Sequence, residues 1–320
     1  MKNRNLQFDI ARVLAMLWIV GIWHLTGYMS TQNSNLILFY GASIITDVAL
    51  ATFMFISGFF LSKYQFETKE DIWIFYKKRL QRFYILFAMS AISMWLGGMN
   101  PGLGLLCTTL SGLSSYILPQ PKTLWFFSML FSFYILTPLI WRTYKRLKLS
   151  TLMNQLGGVL LSTLLIFLIG LVHPMDERLY WCFPCYVCGL VLGKFKLIMK
   201  ITQNGIAGGL TIIAFIIMLS LGLFDNKLMV LIIPIGIAGL LSLSYWLSRL
   251  PINKVILFLS YSSMSMYLFH RHVFRLGRMV FCEADGGFPI WFAYIVMLPL
   301  ATFVGYYIQT FYDKMSKRLF

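Results

Sequence analysis

Apolar runs of around 20 residues recur from one end of the chain to the other. Each is long enough to cross about 30 Å of hydrocarbon. Inside lipid no water satisfies the backbone, so such a run has to close its own hydrogen bonds as a helix. Composition agrees: of 320 residues, 59% are hydrophobic and only 12% charged, against roughly half and about a quarter in soluble domains. The expected fold is all-α, a polytopic transmembrane helix bundle forming one integral membrane domain over residues 1–320. The first run follows a basic start, MKNRN, as a signal peptide would. Its apolar part exceeds a signal core of about 7–15 residues, no A-x-A-like site follows, and it carries Asp9, Arg12 and His24. It reads as a retained first helix.

About ten spans are expected, at approximately 8–29, 36–62, 83–99, 123–141, 152–172, 179–193, 205–223, 228–248, 255–274 and 289–312. The sixth is short, and the stems of Lys194 and Lys196 would extend its apolar length by snorkelling. With the N-terminus inside, 20 of the 27 basic residues fall on inner segments and six on outer ones, with Arg12 within a span. Such an excess marks the cytoplasmic face, so both termini are expected there. Residues 101–122 are apolar enough to pass for a helix, but Pro101 and several glycines crowd the start, and Pro119 and Pro121 the end. Counting them as a span would reverse every later loop and spoil the charge asymmetry. They are expected to form a re-entrant or outer-surface segment.

The net charge of +16 sits in short clusters between apolar runs, without a continuous basic face. No nucleic acid is expected as a partner; membrane lipid headgroups and a phosphate-bearing donor are. Cys182, Cys185 and Cys188 form C-x-x-C-x-x-C inside an apolar run, with no fourth ligand nearby. They read as a small-residue packing stripe rather than a metal site. Gly189 and Gly193 continue that stripe as GxxxG, which would pack helices within one chain or between two. No repeat of 20–50 residues is visible.

Ionisable groups inside a span are costly and mark function by default. Span one holds Asp9, Arg12 and His24, span two holds Asp47, and span nine holds His270, followed by Arg271 and His272. At 1.5 Å per residue His24 lies roughly 24 Å from the inner boundary and His270 about 22 Å from it. Two histidines at matching depth imply a shared polar site. Asp9 and Arg12 lie close to the inner boundary, where an i,i+3 ion pair or snorkelling would also account for them.

These residues resemble the acyltransferase-3 family. FDIARVLAMLWIVGIWH is similar to the family's opening, with an aspartate, an arginine three on, and a histidine at the far end of the helix. ATFMFISGFFLSKY resembles its second element around Ser57 and Gly58, and FYKKRLQRFYILF carries an R-x-x-R as Arg79 and Arg82. TLWFFSMLFSFYILTPLIW matches through Trp125, Phe126, Tyr134 and Pro138, and LSYSSMSMYLFH through Ser263, Ser265, Tyr267, Leu268 and His270. The elements cover nearly the whole chain in the family's order. Met264 stands where the family often has a tyrosine. Eleven residues separate Arg12 from His24, one more than the family pattern. About eleven helical steps return to nearly the same face, whereas roughly twelve miss it by about 120°. Either the two groups are not co-facial, or a π-bulge near Gly21 absorbs the extra residue.

The resemblance implies an acyltransferase of the bacterial cytoplasmic (inner) membrane. It would transfer an acyl group, usually acetyl, from cytoplasmic acetyl-CoA to a hydroxyl of a cell-surface or lipid-linked glycan. His24, His270, Arg12 and Asp9 are then the catalytic candidates, with histidine suited to act as base near neutral pH. Arg79 and Arg82 would hold CoA phosphates, since guanidinium forks match phosphate oxygens, or else bind lipid. Trp125 would stack on a sugar or sit in the interfacial aromatic belt; Asp47 and Tyr267 join it as acceptor-binding candidates. No metal is implied. An inner donor site and outer-half histidines imply that the acyl group crosses the bundle. The competing readings are a transporter of polyprenyl-linked sugar and a non-catalytic partner of a polysaccharide synthase.

Overall fold

A computed structural model describes residues 5–29, 41–222, 229–251, 253–281 and 286–319. The expected beginning of span two at 36–40 lies outside the described residues, as do Lys2, Arg4 and Lys227. The described chain is helical almost throughout, as lipid requires of a membrane-crossing backbone. Thirteen α-helices follow one another among the described residues: α1 Leu6–Trp18, α2 Gly41–Leu61, α3 Lys69–Arg79, α4 Ile85–Leu96, α5 Leu103–Leu110, α6 Trp125–Arg146 and α7 Leu152–Val172. They continue as α8 Leu179–Phe195, α9 Leu197–Gln203, α10 Gly205–Gly222, α11 Met229–Leu247, α12 Asn253–Val280 and α13 Leu298–Leu319. Three π-helical turns interrupt this series, at Ile19–His24, Leu80–Tyr84 and Phe292–Met297.

Six helices among the described residues are long and apolar enough to cross a membrane, and a seventh if α8 and α9, broken at Lys196, count as one span. The other expected spans are helical but differ in kind. Only 12 residues of α4 follow the π-turn that joins it to α3, and α10 is a shorter apolar helix. The 28 residues of α12 include Lys254, Arg271, Arg275 and Arg278, too many charges for a lipid-facing span. Segment 101–122 forms no span: α5 has eight residues, roughly 12 Å of rise. It packs on the first turns of α6, where the Ser114 hydroxyl donates to the Ser128 hydroxyl at 2.7 Å and Ser128 donates to the Thr109 carbonyl at 3.1 Å.

The chain divides into two compact units, one of Met1–Phe53 with Leu197–Met315 and one of Met54–Lys196 with Ser316–Phe320. Lipid tails are as apolar as leucine, so helices in either unit associate through close packing and interhelical hydrogen bonds rather than hydrophobic burial. In the first unit α1 lies against α11 and α12, with Ile10, Val13 and Ile256 forming a buried cluster. Gln7 near the start of α1 donates to Thr202 Oγ1 and to the Leu241 carbonyl, both at 2.9 Å. A Cβ at Gly305 would meet the backbone nitrogen of Met266 at 2.8 Å, so α12 and α13 cross in backbone contact.

The second unit contains the analogous crossing of α2 and α8. A Cβ on Gly58 would run into the Tyr186 carbonyl, and one on Gly189 into the Phe55 carbonyl; Gly193 faces Phe59 and Ser62. The GxxxG pair therefore packs helices within one chain. The cysteine stripe lies on the same helix, with Cys182 buried and all three thiols free. Among the described residues no group of three or more His, Cys, Asp or Glu side chains is placed to hold a metal ion.

Candidate active site

The site in the first unit begins with the π-turn at Ile19–His24, which contains Gly21. A π-turn absorbs one extra residue within a helix, and this one falls in the stretch where the Arg12–His24 spacing has one residue too many. Gly21 lets Leu298 pack closely on the turn: a Cβ there would lie 3.2 Å from Leu298 Cδ2. Leu298 directly follows the π-turn at Phe292–Met297, and Gly277 of α12 lies against Met297. Two unwound turns thus meet beside the end of the first helix.

His24 closes that turn, and its ring stacks on His270 of α12 with centroids 4.8 Å apart and planes 2° apart. Tyr267 stands edge-on to both, each at 5.9 Å, and Phe274 packs on His270 at 5.4 Å. His270 is only 1% exposed. Its Nδ1 lies 2.7 Å from the Tyr267 carbonyl oxygen. A carbonyl only accepts, so Nδ1 is the nitrogen that donates, and in the neutral ring Nε2 carries the lone pair. That Nε2, and Nδ1 of His24, are buried without a hydrogen-bond partner among the described residues. Buried polar atoms are nearly always paired; two unpaired ring nitrogens on stacked imidazoles are what a substrate group would complete. Nε of Arg271 is equally unpartnered among the described residues. Its adjacency to His270 was the sequence signal for it.

The rest of α12 fixes the presentation of His270. On one face Ser260 donates to Asp9 of α1 at 2.9 Å. On another Ser265 donates to Gln309 at 2.6 Å and Tyr261 to Asp313 at 2.7 Å, both on α13. Beyond His24 the chain is pinned by Arg278, whose guanidinium donates to the Gly27 carbonyl at 3.0 Å and lies 4.9 Å over Tyr28. Phe288 N donates to the Tyr28 carbonyl at 3.1 Å.

Asp9 and Arg12 do not join the histidines. They form an ion pair with each other, and Asp9, 1% exposed, also accepts from Ser260. Twelve residues of rise place Arg12 roughly 18 Å from His24 along the helix. Asp47 lies half-buried on α2, and Trp18 of α1 donates to its neighbour Thr46 at 3.1 Å.

In the second unit the R-x-x-R arginines part company. Arg79 ends α3 and sits among three rings, 5.3 Å from Tyr134, 5.4 Å from Phe75 and 5.8 Å from Tyr64. Arg82, within the π-turn Leu80–Tyr84, is exposed. The start of α3 is held by a capping box between Thr68 and Asp71. Hydrogen bonds from Thr68 keep the Asp71 carboxyl below the usual carboxylate range. Trp125 begins α6 and is 8% exposed, with the Arg178 guanidinium 3.5 Å over its ring. Arg178 is itself held by Asp176 at 2.8 Å and by Gln120. One face of the indole is therefore covered by a cation, which the sequence did not indicate because Arg178 lies 53 residues away in a loop.

No curated protein and no solved structure shows significant similarity to this chain. A family model described as an acyltransferase domain matches residues 5–310, a range that includes the two stacked histidines, the Asp9–Arg12 pair and both arginines of R-x-x-R. With a match over nearly its whole length, the chain belongs to the acyltransferase-3 family.

Proposed function

We propose that this protein is a membrane O-acyltransferase that moves an acyl group, acetyl in the first instance, from cytoplasmic acetyl-CoA to a hydroxyl of a cell-surface or lipid-linked glycan. The observation that carries the reading is the stacked His24–His270 pair with its unpartnered ring nitrogens. In direct transfer, Nδ1 of His24 takes the proton of the acceptor hydroxyl while that oxygen attacks the thioester carbonyl. The carbon–sulfur bond then breaks, and the departing thiolate takes the proton back from the imidazolium. His270, held by its Nδ1–H bond to Tyr267, keeps the His24 ring in one plane, and Arg271 supplies positive charge near the developing oxyanion. An acyl-imidazole on His24 is the covalent variant of the same chemistry, and trapping acyl-protein without acceptor would distinguish it.

Arg79 and Arg82 are assigned to the donor's phosphates, with the aromatic box holding the Arg79 fork in place. Trp125, Asp47 and Tyr267 are assigned to the acceptor, and Asp9 with Arg12 to anchoring the inner end of α1. The proposed topology keeps ten membrane-embedded helical segments with both termini cytoplasmic, in a bacterial inner membrane, since the excess of basic residues on one side supports that orientation. The test is transfer of label from acetyl-CoA to host glycan in membrane vesicles. Label is expected with wild-type protein and not with His24→Ala inserted at equal level. Absence of label in both, with a suitable acceptor present, would point to another donor or to a transporter.

A further inference from the structure

Three separate stretches of the second unit converge beside the start of α6: segment 113–121, Trp125 itself, and the loop 173–178 between α7 and α8. Backbone groups fasten them together. Asp176 N donates to the Ser115 carbonyl at 3.0 Å. Nε2 of His173 lies 2.8 Å from the Tyr116 carbonyl oxygen and is the donor, since a carbonyl only accepts. Two residues before Trp125, Thr123 holds a φ of 66°, a strained value for a β-branched residue.

This junction presents polar groups of which only part is used. The Arg178 guanidinium lies 3.5 Å over the Trp125 ring, its Nε donates to Asp176 Oδ1 at 2.8 Å, and its Nη2 donates to Gln120. Nη1 has no acceptor among the described residues, and the Arg178 side chain is 32% exposed. Asp176 is the opposite case, with its side chain 3% exposed. Oδ1 accepts from both the backbone and the side chain of Arg178, whereas Oδ2 is buried without a partner among the described residues. The buried Ser115 Oγ is in the same condition. An ionised carboxylate only accepts, so Oδ2 lacks a donor, and buried polar atoms are nearly always paired.

The chemistry of a fitting ligand follows. Asp176 and Arg178 neutralise each other, so neither a cation nor an anion gains from the pair as a whole. What is missing is one donor for Oδ2 and one acceptor for Nη1, side by side. A hydroxyl can act as either, so two neighbouring hydroxyls supply both. A guanidinium fixed by a carboxylate, an amide and a ring face holds its remaining N–H bonds in a set plane.

We infer that Arg178 and Asp176 form a subsite for a neutral polyhydroxylated ring, read through two adjacent hydroxyls: one donates to Asp176 Oδ2 and its neighbour accepts from Arg178 Nη1, with the Ser115 hydroxyl as a third contact. Oδ2 is closed to solvent, so binding includes a movement of Arg178, the most exposed side chain of the set. The subsite rests on the assignment of Trp125 to a glycan acceptor and deepens it. The indole is the bed on which Arg178 lies, and the sugar meets the guanidinium instead of stacking on the ring.

The test uses full-length protein in phosphatidylcholine nanodiscs, without acetyl-CoA. The probe is oligosaccharide released from the host's surface polysaccharide and de-esterified with mild base, its binding read by calorimetry. Saturable binding is expected to wild type. It should be lost when the probe is first treated with periodate, which cleaves the carbon–carbon bond between neighbouring hydroxyls. Asp176→Asn keeps an acceptor for Arg178 but puts an amide donor in place of Oδ2, and Arg178→Lys keeps the charge but not the fork. Each should bind at least tenfold more weakly, and Ser115→Ala about threefold. Glu177→Gln, which changes an exposed carboxylate in the same loop, should bind as wild type does. The periodate arm alters only the probe, so it decides the matter even where a variant fails to fold. No saturable binding to wild type, which would leave these polar groups to water, overturns the subsite. So do undiminished binding of the oxidised probe, an equal fall in Glu177→Gln, or variants that melt lower yet bind normally, which would make the cluster a loop fastening only. Binding without any acetyl transfer would leave the subsite standing and sink the enzyme reading; transfer with an unchanged acceptor KM in Arg178→Lys would do the reverse.

Discussion

The two ends of the first helix solve the problem of polar groups in lipid in opposite ways. At the N-terminal end Asp9 is paired with Arg12 and accepts from Ser260, so charge is neutralised where it stands. At the other end His24 and His270 present stacked rings whose buried Nδ1 and Nε2 have no hydrogen-bond partner among the described residues. Leaving a buried polar atom unpaired costs about 1–3 kcal/mol, so the histidine arrangement is kept at the expense of stability while the ion pair supports it. The contrast separates an anchor from the proposed reactive centre, although both ends have residues that the family's opening motif places together.

Removing the reactive end should have the largest effect. His24→Ala is expected to lower transfer by about 10²–10⁴, the range of a general base, with membrane insertion unchanged. Transfer within threefold of wild type would dissolve the distinction between the two ends. Nearly as large is the effect expected from deleting Ala15 in α1, which turns His24 by about 100° relative to Asp9 and Arg12. Deleting Val20 inside the π-turn should be milder, because an ordinary helical turn then restores the same register. Equal activity of the two deletions would show that the π-turn has no part in aiming the ring. At the N-terminal end, Asp9→Ala leaves Arg12 and Ser260 without their carboxylate. Asp9 is buried and Arg12 partly exposed, so a loss of about 2 kcal/mol is expected, below the roughly 3–5 kcal/mol of a fully buried pair. It should appear in the melting temperature, with turnover of the folded fraction preserved; turnover lost at constant stability would move Asp9 into the chemistry.

The smallest effect belongs to the capping box at Thr68 and Asp71. The folded-state pKa of Asp71 is depressed, so its contribution is present above the ordinary carboxylate pKa and fades as pH falls through the lower folded value. Asp71→Ala should remove that acid-limb dependence, whereas Thr68→Ala, which keeps the backbone N–H bond to Asp71, should only weaken it; both should leave the neutral-pH transfer rate alone, as pH-dependent melting would read out.

Much of this was legible in the sequence, for physical reasons that differ by residue. The matching depths of His24 and His270 followed from helical rise along two spans running the same way, and stacking is the outcome. The π-turn was one of two alternatives raised by a single surplus residue, and Gly21 marked its place. GxxxG at Gly189 signalled a close crossing but not its partner, since Gly58 sits more than a hundred residues away. Arg79 and Arg82 looked alike in R-x-x-R; only the folded chain puts three rings around the first and exposes the second. The cover on Trp125 was invisible because a loop delivers Arg178. Hydropathy marked α12 as a span from its apolar stretch, while the whole helix of 28 residues also carries Lys254, Arg271, Arg275 and Arg278.

The most direct test of the central claim is a double-mutant cycle on the stacked pair. Transfer of acetyl label is measured for wild type, His24→Ala, His270→Ala and the double variant, each at matched insertion. Groups that act as one unit lose function non-additively. The account predicts that each single variant falls nearly as far as the double. Losses that multiply, or a His270→Ala variant as active as wild type, would contradict it.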